Sequence, residues 1–269
     1  MLKLNLLLSI DDFSVFLNEK KILNFFLWAN CLYNDNLVVS KNFFSHLIDE
    51  QDFCSFLYNT KKIGSEATKL LISFFSKYIH DEIDEGEFLL ELKTSSIIDP
   101  KGIVYIEKNA VTEQYLDKCV GSQSEYLSLK RFYVRQASLE LLTTYLPECF
   151  PYLLFNQEEK SLNFKGYTQE NLEEIFRILC FLDECGMKEF EACNRDAGAT
   201  LKRFESNGFI CSGGQPIKID CLVNGKRETL NCTPHFKIES AYSNKRLYFA
   251  WGNDKNGQII VIGKIGGHE

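Results

Sequence analysis

No run of eighteen apolar residues occurs in this chain, which excludes a conventional membrane-spanning helix. The opening Leu4-Asn5-Leu6-Leu7-Leu8-Ser9-Ile10 is apolar but short. It meets Asp11-Asp12 without a small-residue cleavage site, so no signal peptide is expected. Proline is rare, 5 residues in 269, while Phe and Tyr number 22 and 12; that balance suits packed elements more than disorder. None of the 10 cysteines stands in the C-x-x-C spacing that zinc sites favour. Scattered from Cys31 to Cys232, they are expected to be reduced, buried thiols of a cytoplasmic protein rather than a disulfide framework. The 4 histidines, His46, His80, His235 and His268, are too few to suggest an assembled metal site. Nucleotide-binding, catalytic-triad and metal motifs are all missing, so no cofactor and no metal are expected.

What is present is an uneven charge. The whole chain carries −7. From Arg195 onward eleven Lys/Arg face seven Asp/Glu, a net +4, which leaves −11 for residues 1–194. An acidic body joined to a mildly basic end suggests different partners for the two parts. At 269 residues the chain has material for one large domain or two small ones.

The first 189 residues read as a mostly helical region. Apolar residues recur at helical spacing over 11–33 and again around Phe43 to Leu57. A third such stretch, Ala67 to His80, follows Gly64-Ser65. The acidic run Asp81 to Glu87 reads as a solvated helix end, with a metal-binding cluster as the sharper alternative. Phe88 to Leu92 and Ile103 to Ile106 are strand-like and flank Asp99-Pro100-Lys101-Gly102, so a small hairpin is expected over 88–107. Helix resumes near Thr112 and from Ser122 or Ser124 to Tyr145. Thr168 caps another, stopped by Gly186, and a last one runs from about Glu189 to Asn207-Gly208. Ser212-Gly213-Gly214-Gln215 opens onto a strand, not a helix, and reads as a linker rather than a phosphate loop.

Residues 217–268 read as hairpins. Ile217 to Val223 alternates and ends in Asn224-Gly225, the pair best suited to a type I′ turn. His235 to Glu239 alternates strictly, Arg246 to Trp251 follows, and Gln258 to Ile265 closes the chain of strands. Residues 190–269 are therefore assigned to a helix-plus-sheet module with an antiparallel β-meander of four to five strands. The expected fold class is α+β. The pleat sorts the side chains: Phe236 and Ile238 share one face with Leu247, Phe249 and Trp251, and the other face presents His235, Lys237, Arg246 and Tyr248. The bland reading of that polar face is the solvated side of a sheet.

The pattern His235-x-Lys237, Arg246-x-Tyr248-Phe249, then Ile260-Val261-Ile262-Gly263-x-Ile265-Gly266-x-His268 resembles the C-terminal sheet of RelE/ParE-type toxins. The resemblance covers residues 190–269 and implies a metal-independent endoribonuclease, a toxin-like effector of the kind found in anti-phage defence. The large N-terminal region is a departure, since a minimal toxin lacks one. Such cleavage needs a base for the 2′-hydroxyl, cations for the phosphorane and an acid for the leaving oxygen. The resemblance assigns His235 or His268 to proton transfer, Lys237 and Arg246 to the phosphate, and Tyr248 to orientation or proton donation. The partners it implies are RNA and a neutralising or assembling protein. A different class of function is equally open: a non-catalytic subunit whose sheet binds nucleic acid or a protein.

Overall fold

The computed structural model describes residues 1–240, 242–251 and 259–267. The chain folds as two compact units, Met1–Gln136 and Ala137–Glu269.

The first unit is built on a parallel sheet. Its strands are β1 (Asn5–Ser9), β2 (Asn36–Ser40), β5 (Ile79–Ile83), β6 (Lys101–Tyr105) and β7 (Cys119–Val120), in spatial order β5-β2-β1-β6-β7. A separate two-stranded piece pairs β3 (Leu47–Ile48) with β4 (Gln51–Asp52). The helices are α1 (Glu19–Ala29), α2 (Phe53–Asn59), α3 (Ser65–Tyr78), α4 (Glu85–Lys93), α5 (Ala110–Gln114) and α6 (Gln123–Val134). Chain order runs outward from β1 to one edge, then crosses back to the other side, the doubly wound arrangement. Leu7 and Val38 pack beneath Phe88 of α4, and Ile103, Tyr105 and Cys119 beneath Leu92. Phe16, Phe53 and Phe75 form an aromatic cluster with ring centres 4.7–6.0 Å apart.

The mostly helical N-terminal region expected from sequence is thus overturned: this half is α/β. The physical reason lies in β1, β2 and β6. A parallel strand covered on both faces loses the period-2 alternation and reads as a short apolar run, which periodicity cannot separate from buried helix. β5, Ile79 to Ile83, hid inside the acidic run because it is the edge strand. The hairpin over 88–107 does not form. Phe88 and Leu92, four apart, are the core-facing side of α4, whose start Asp84 caps by accepting the Glu87 N–H at 3.0 Å. β6 pairs in parallel with β1 instead.

The second unit holds α7 (Leu139–Cys149), β8 (Leu153–Phe155), α8 (Gln169–Phe181), α9 (Met187–Ala192), α10 (Ala197–Ser206), β9 (Cys211–Ser212), β10 (Lys218–Val223), β11 (Lys226–Asn231), β12 (His235–Lys237), β13 (Arg246–Ala250) and β14 (Ile260–Gly266). A π-helical turn, Leu182–Gly186, joins α8 to α9. Thr168 caps α8 in a reciprocal box with Asn171. The five-stranded sheet has the order β8-β14-β13-β12-β9, and β8 lies parallel to β14 while the other pairs are antiparallel. It is a mixed sheet, not the expected antiparallel meander. The parallel strand comes from residues 153–155, far outside the terminal stretch where hairpin signals were read.

One face of this sheet carries Phe236 and Phe249, against which Phe204 of α10 stacks, its ring 5.7 Å from that of Phe236. On the other face lie His235, Lys237, Arg246 and Tyr248. β10 and β11 turn at Asn224-Gly225 with φ of 51° and 75°, as a type I′ turn requires. They form a separate two-stranded sheet whose Cys221, Val223, Leu230 and Cys232 pack on Tyr248, Ala250 and Val261. Gly263 permits this approach, since a Cβ there would stand 2.5 Å from the Cys232 sulfur. Asn156 ties the layers: its amide donates to the carbonyls of Asp220 and Gly263, and its oxygen accepts the Leu222 N–H.

Candidate anion-binding site

The register of β12 on β13 sets His235 opposite Tyr248 and Lys237 opposite Arg246. All four side chains therefore gather on one patch of one face, as the alternation requires. The expectation that this face is open is corrected: His235 and Arg246 are 6% exposed and Tyr248 is fully buried. The reason is the β10–β11 layer over Tyr248, which alternation along single strands does not reveal. Lys237 is half-buried. His268 lies outside the described residues.

Arg246 is the singular member. Its Nη1 donates to the carbonyls of Ser243 and Lys245, the latter at 3.0 Å. Its Nε is buried with no hydrogen-bond partner, and the guanidinium forms no ion pair among the described residues. A buried, unpaired charge is costly. The edge left over, Nε with Nη2, is the side-on fork that matches two oxygens of a phosphate or carboxylate. Directly across the strands stands a second cation, Lys237, which also lacks an ion pair among the described residues. Like charges set opposite each other are unfavourable, and an oxyanion between them would relieve that repulsion.

The neighbours suit proton chemistry. His235 Nδ1 lies 2.9 Å from the Thr233 carbonyl. Because a carbonyl only accepts, Nδ1 carries the hydrogen, and the neutral ring keeps Nε2 as its basic nitrogen. The His235 and Tyr248 rings are 5.1 Å apart. Burial pushes the Tyr248 phenol above its ordinary range, so it stays a proton donor at neutral pH. Sequence reasoning missed Tyr167, whose hydroxyl, pushed up to about 12 by burial, donates to the carbonyl of Gly266, the residue across from Arg246. It also missed Lys245 and Asn171, which bond each other across 74 positions of chain. No local motif links residues so far apart.

The first unit offers a different concavity. Between the carboxyl ends of β1 and β6, where chain order reverses, lies a crevice of about 300 Å³ lined by Asp11, Asp12, Glu107, Lys108 and Asn109. Two of its charges, Glu107 and Asp12, close on neighbours. Lys21 pairs with Glu107 at 2.5 Å, Asn109 donates to Ser9, and Ser14 holds the Asp12 carboxyl below its usual range. Glu85 is pushed up by burial and by Asp11 and Asp84. Among the described residues no three carboxylate, imidazole or thiol side chains are placed to hold a metal ion.

No protein-family model, no curated protein and no solved structure matches this chain.

Proposed function

We propose that the second unit engages an RNA phosphodiester at Arg246 and cleaves it without a metal, as a toxin-like endoribonuclease. The observation that carries the reading is the buried guanidinium whose Nη1 is held by two carbonyls while its Nε has no hydrogen-bond partner. In this scheme Arg246 and Lys237 hold the phosphate and offset the charge that builds on it. His235 takes the 2′-hydroxyl proton on Nε2, with its tautomer set by the Thr233 carbonyl. Tyr248, sealed beneath the β10–β11 layer, backs the His235 ring, and the leaving oxygen takes its proton from solvent water. A cytoplasmic, reducing setting agrees with ten cysteines that stand as thiols rather than disulfides, and a protein partner that neutralises or recruits the chain fits a toxin-like effector.

One observation favours a second reading. The β10–β11 layer seals Tyr248, so the same anion site would serve a binding subunit that does no chemistry. Expression of the wild type beside Arg246→Ala and His235→Ala separates the two, with RNA integrity followed in EDTA-treated lysates. EDTA-resistant cleavage abolished by both substitutions supports the nuclease. RNA binding that only Arg246→Ala removes, with RNA intact throughout, supports the binding subunit. Cleavage that EDTA stops, untouched by either substitution, overturns both.

A further inference from the structure

The guanidinium of Arg246 hangs on a loop. Its Nη1 is held by the carbonyls of Ser243 and Lys245, both in the connection between β12 and β13. Loops are ordinarily the mobile part of a fold, so an anion receptor suspended from one needs an anchor. Lys245 supplies it. The Lys245 ammonium donates to Asn171 Oδ1 at 2.5 Å and to Glu239 Oε2 at 3.0 Å. Asn171 is 4% exposed and sits in the first turn of α8, where the same oxygen accepts the Thr168 N–H at 3.1 Å. The helix cap and the loop anchor are thus one side chain. Resting on the reading of Arg246 as an oxyanion receptor, we propose that Lys245 and Asn171, with Glu239, are positioning residues that aim the Nε–Nη2 edge of Arg246 at the phosphate.

The bland alternative is a half-exposed ion pair between Lys245 and Glu239, which would have little effect. The partly buried link to Asn171, itself 4% exposed, distinguishes the two. Calorimetric titration with inorganic phosphate, followed by binding of a short RNA over a range of salt, tests the proposal on the full chain. Lys245→Met and Asn171→Ala are each expected to weaken phosphate on the order of tenfold, and Lys245→Arg to recover part of the loss. A positioning residue does not itself neutralise a phosphate. Lys245→Met should therefore leave the slope of log K against log salt unchanged, whereas Arg246→Ala lowers it by about one. Wild-type affinity in both Lys245→Met and Asn171→Ala would overturn the network while leaving the Arg246 reading intact. A wild type that binds neither phosphate nor RNA sinks that reading and the network with it. Should Asn171→Ala disturb α8, Lys245→Met, which leaves the cap in place, decides alone.

Discussion

The two units treat buried cations differently. In the first, the Lys101 ammonium meets Asp99 at 2.8 Å and Glu91 at 3.1 Å. Lys118 donates to the Leu92 carbonyl and to Ser95, closing the carboxyl end of α4. In the second, Arg246 has two carbonyls and an orphaned Nε. Folding alone accounts for the lysines, since each is satisfied where it lies and complements a carboxylate pair or a helix end. Among the described residues the Nε of Arg246 has no partner, although its Nη1 has two. A native structure that tolerates such a group holds it for something else. We propose scaffold duty for the lysines and ligand duty for Arg246, and that difference is what the following measurements test.

The largest expected effect is on binding. Arg246→Ala should weaken phosphate and RNA on the order of a hundredfold or more, because two charge-assisted hydrogen bonds go at once. A loss under threefold by calorimetry would erase the distinction between the units.

Next comes Lys118→Met, which takes the ammonium from the Leu92 carbonyl and the Ser95 hydroxyl; the carbonyl keeps the Ser95 hydroxyl as a donor, so the first unit should lose about 1 kcal/mol without changing phosphate affinity. With 2 tryptophans in the chain, Trp28 in the first unit and Trp251 in the second, denaturant titrations of Trp→Phe variants report each unit separately. A fall in the second unit's midpoint alone would break the assignment.

A smaller effect is a near-cancellation. Arg246→Met removes an unsatisfied buried donor together with the Nη1 bonds to the Ser243 and Lys245 carbonyls, so the second unit's stability should stay within about 1 kcal/mol while binding is lost. A loss of several kcal/mol would mean that Arg246 is a structural strut after all.

The smallest concerns pH. Glu85 is raised, so the folded first unit binds its proton more tightly than the unfolded chain does, and stability falls as pH rises from the ordinary glutamate range through the folded pKa. Glu85→Gln should flatten that decline just above pH 4.5 in acid-to-neutral denaturation series. An unchanged slope would mean that Glu85 is not raised in the folded first unit.

How much of this was readable beforehand follows from where the information sits. The faces of β12 and β13 were legible, because alternation along His235 to Glu239 and Arg246 to Trp251 is local and side-chain period fixes it. Asn224-Gly225 and the Thr168 cap were legible for the same reason. The parallel sheet was not, since Leu6-Leu7-Leu8 and Leu37-Val38-Val39 are buried on both faces and carry no period. Nor was the cover on Tyr248: Cys221 and Leu230 look like ordinary hairpin residues until the hairpin is seen folded over the sheet. That His235, Lys237, Arg246 and Tyr248 share one face was legible. Their burial, and the unmatched edge that makes Arg246 stand apart, depend on contacts between distant segments.

The most direct measurement is the arginine Nε–H spectrum of the ¹⁵N-labelled chain titrated with inorganic phosphate. The account predicts one resonance, missing in Arg246→Lys, that shifts with phosphate and stays fixed with chloride at equal ionic strength. A resonance assigned to Arg246 that never moves, in a folded protein at saturating phosphate, would contradict it.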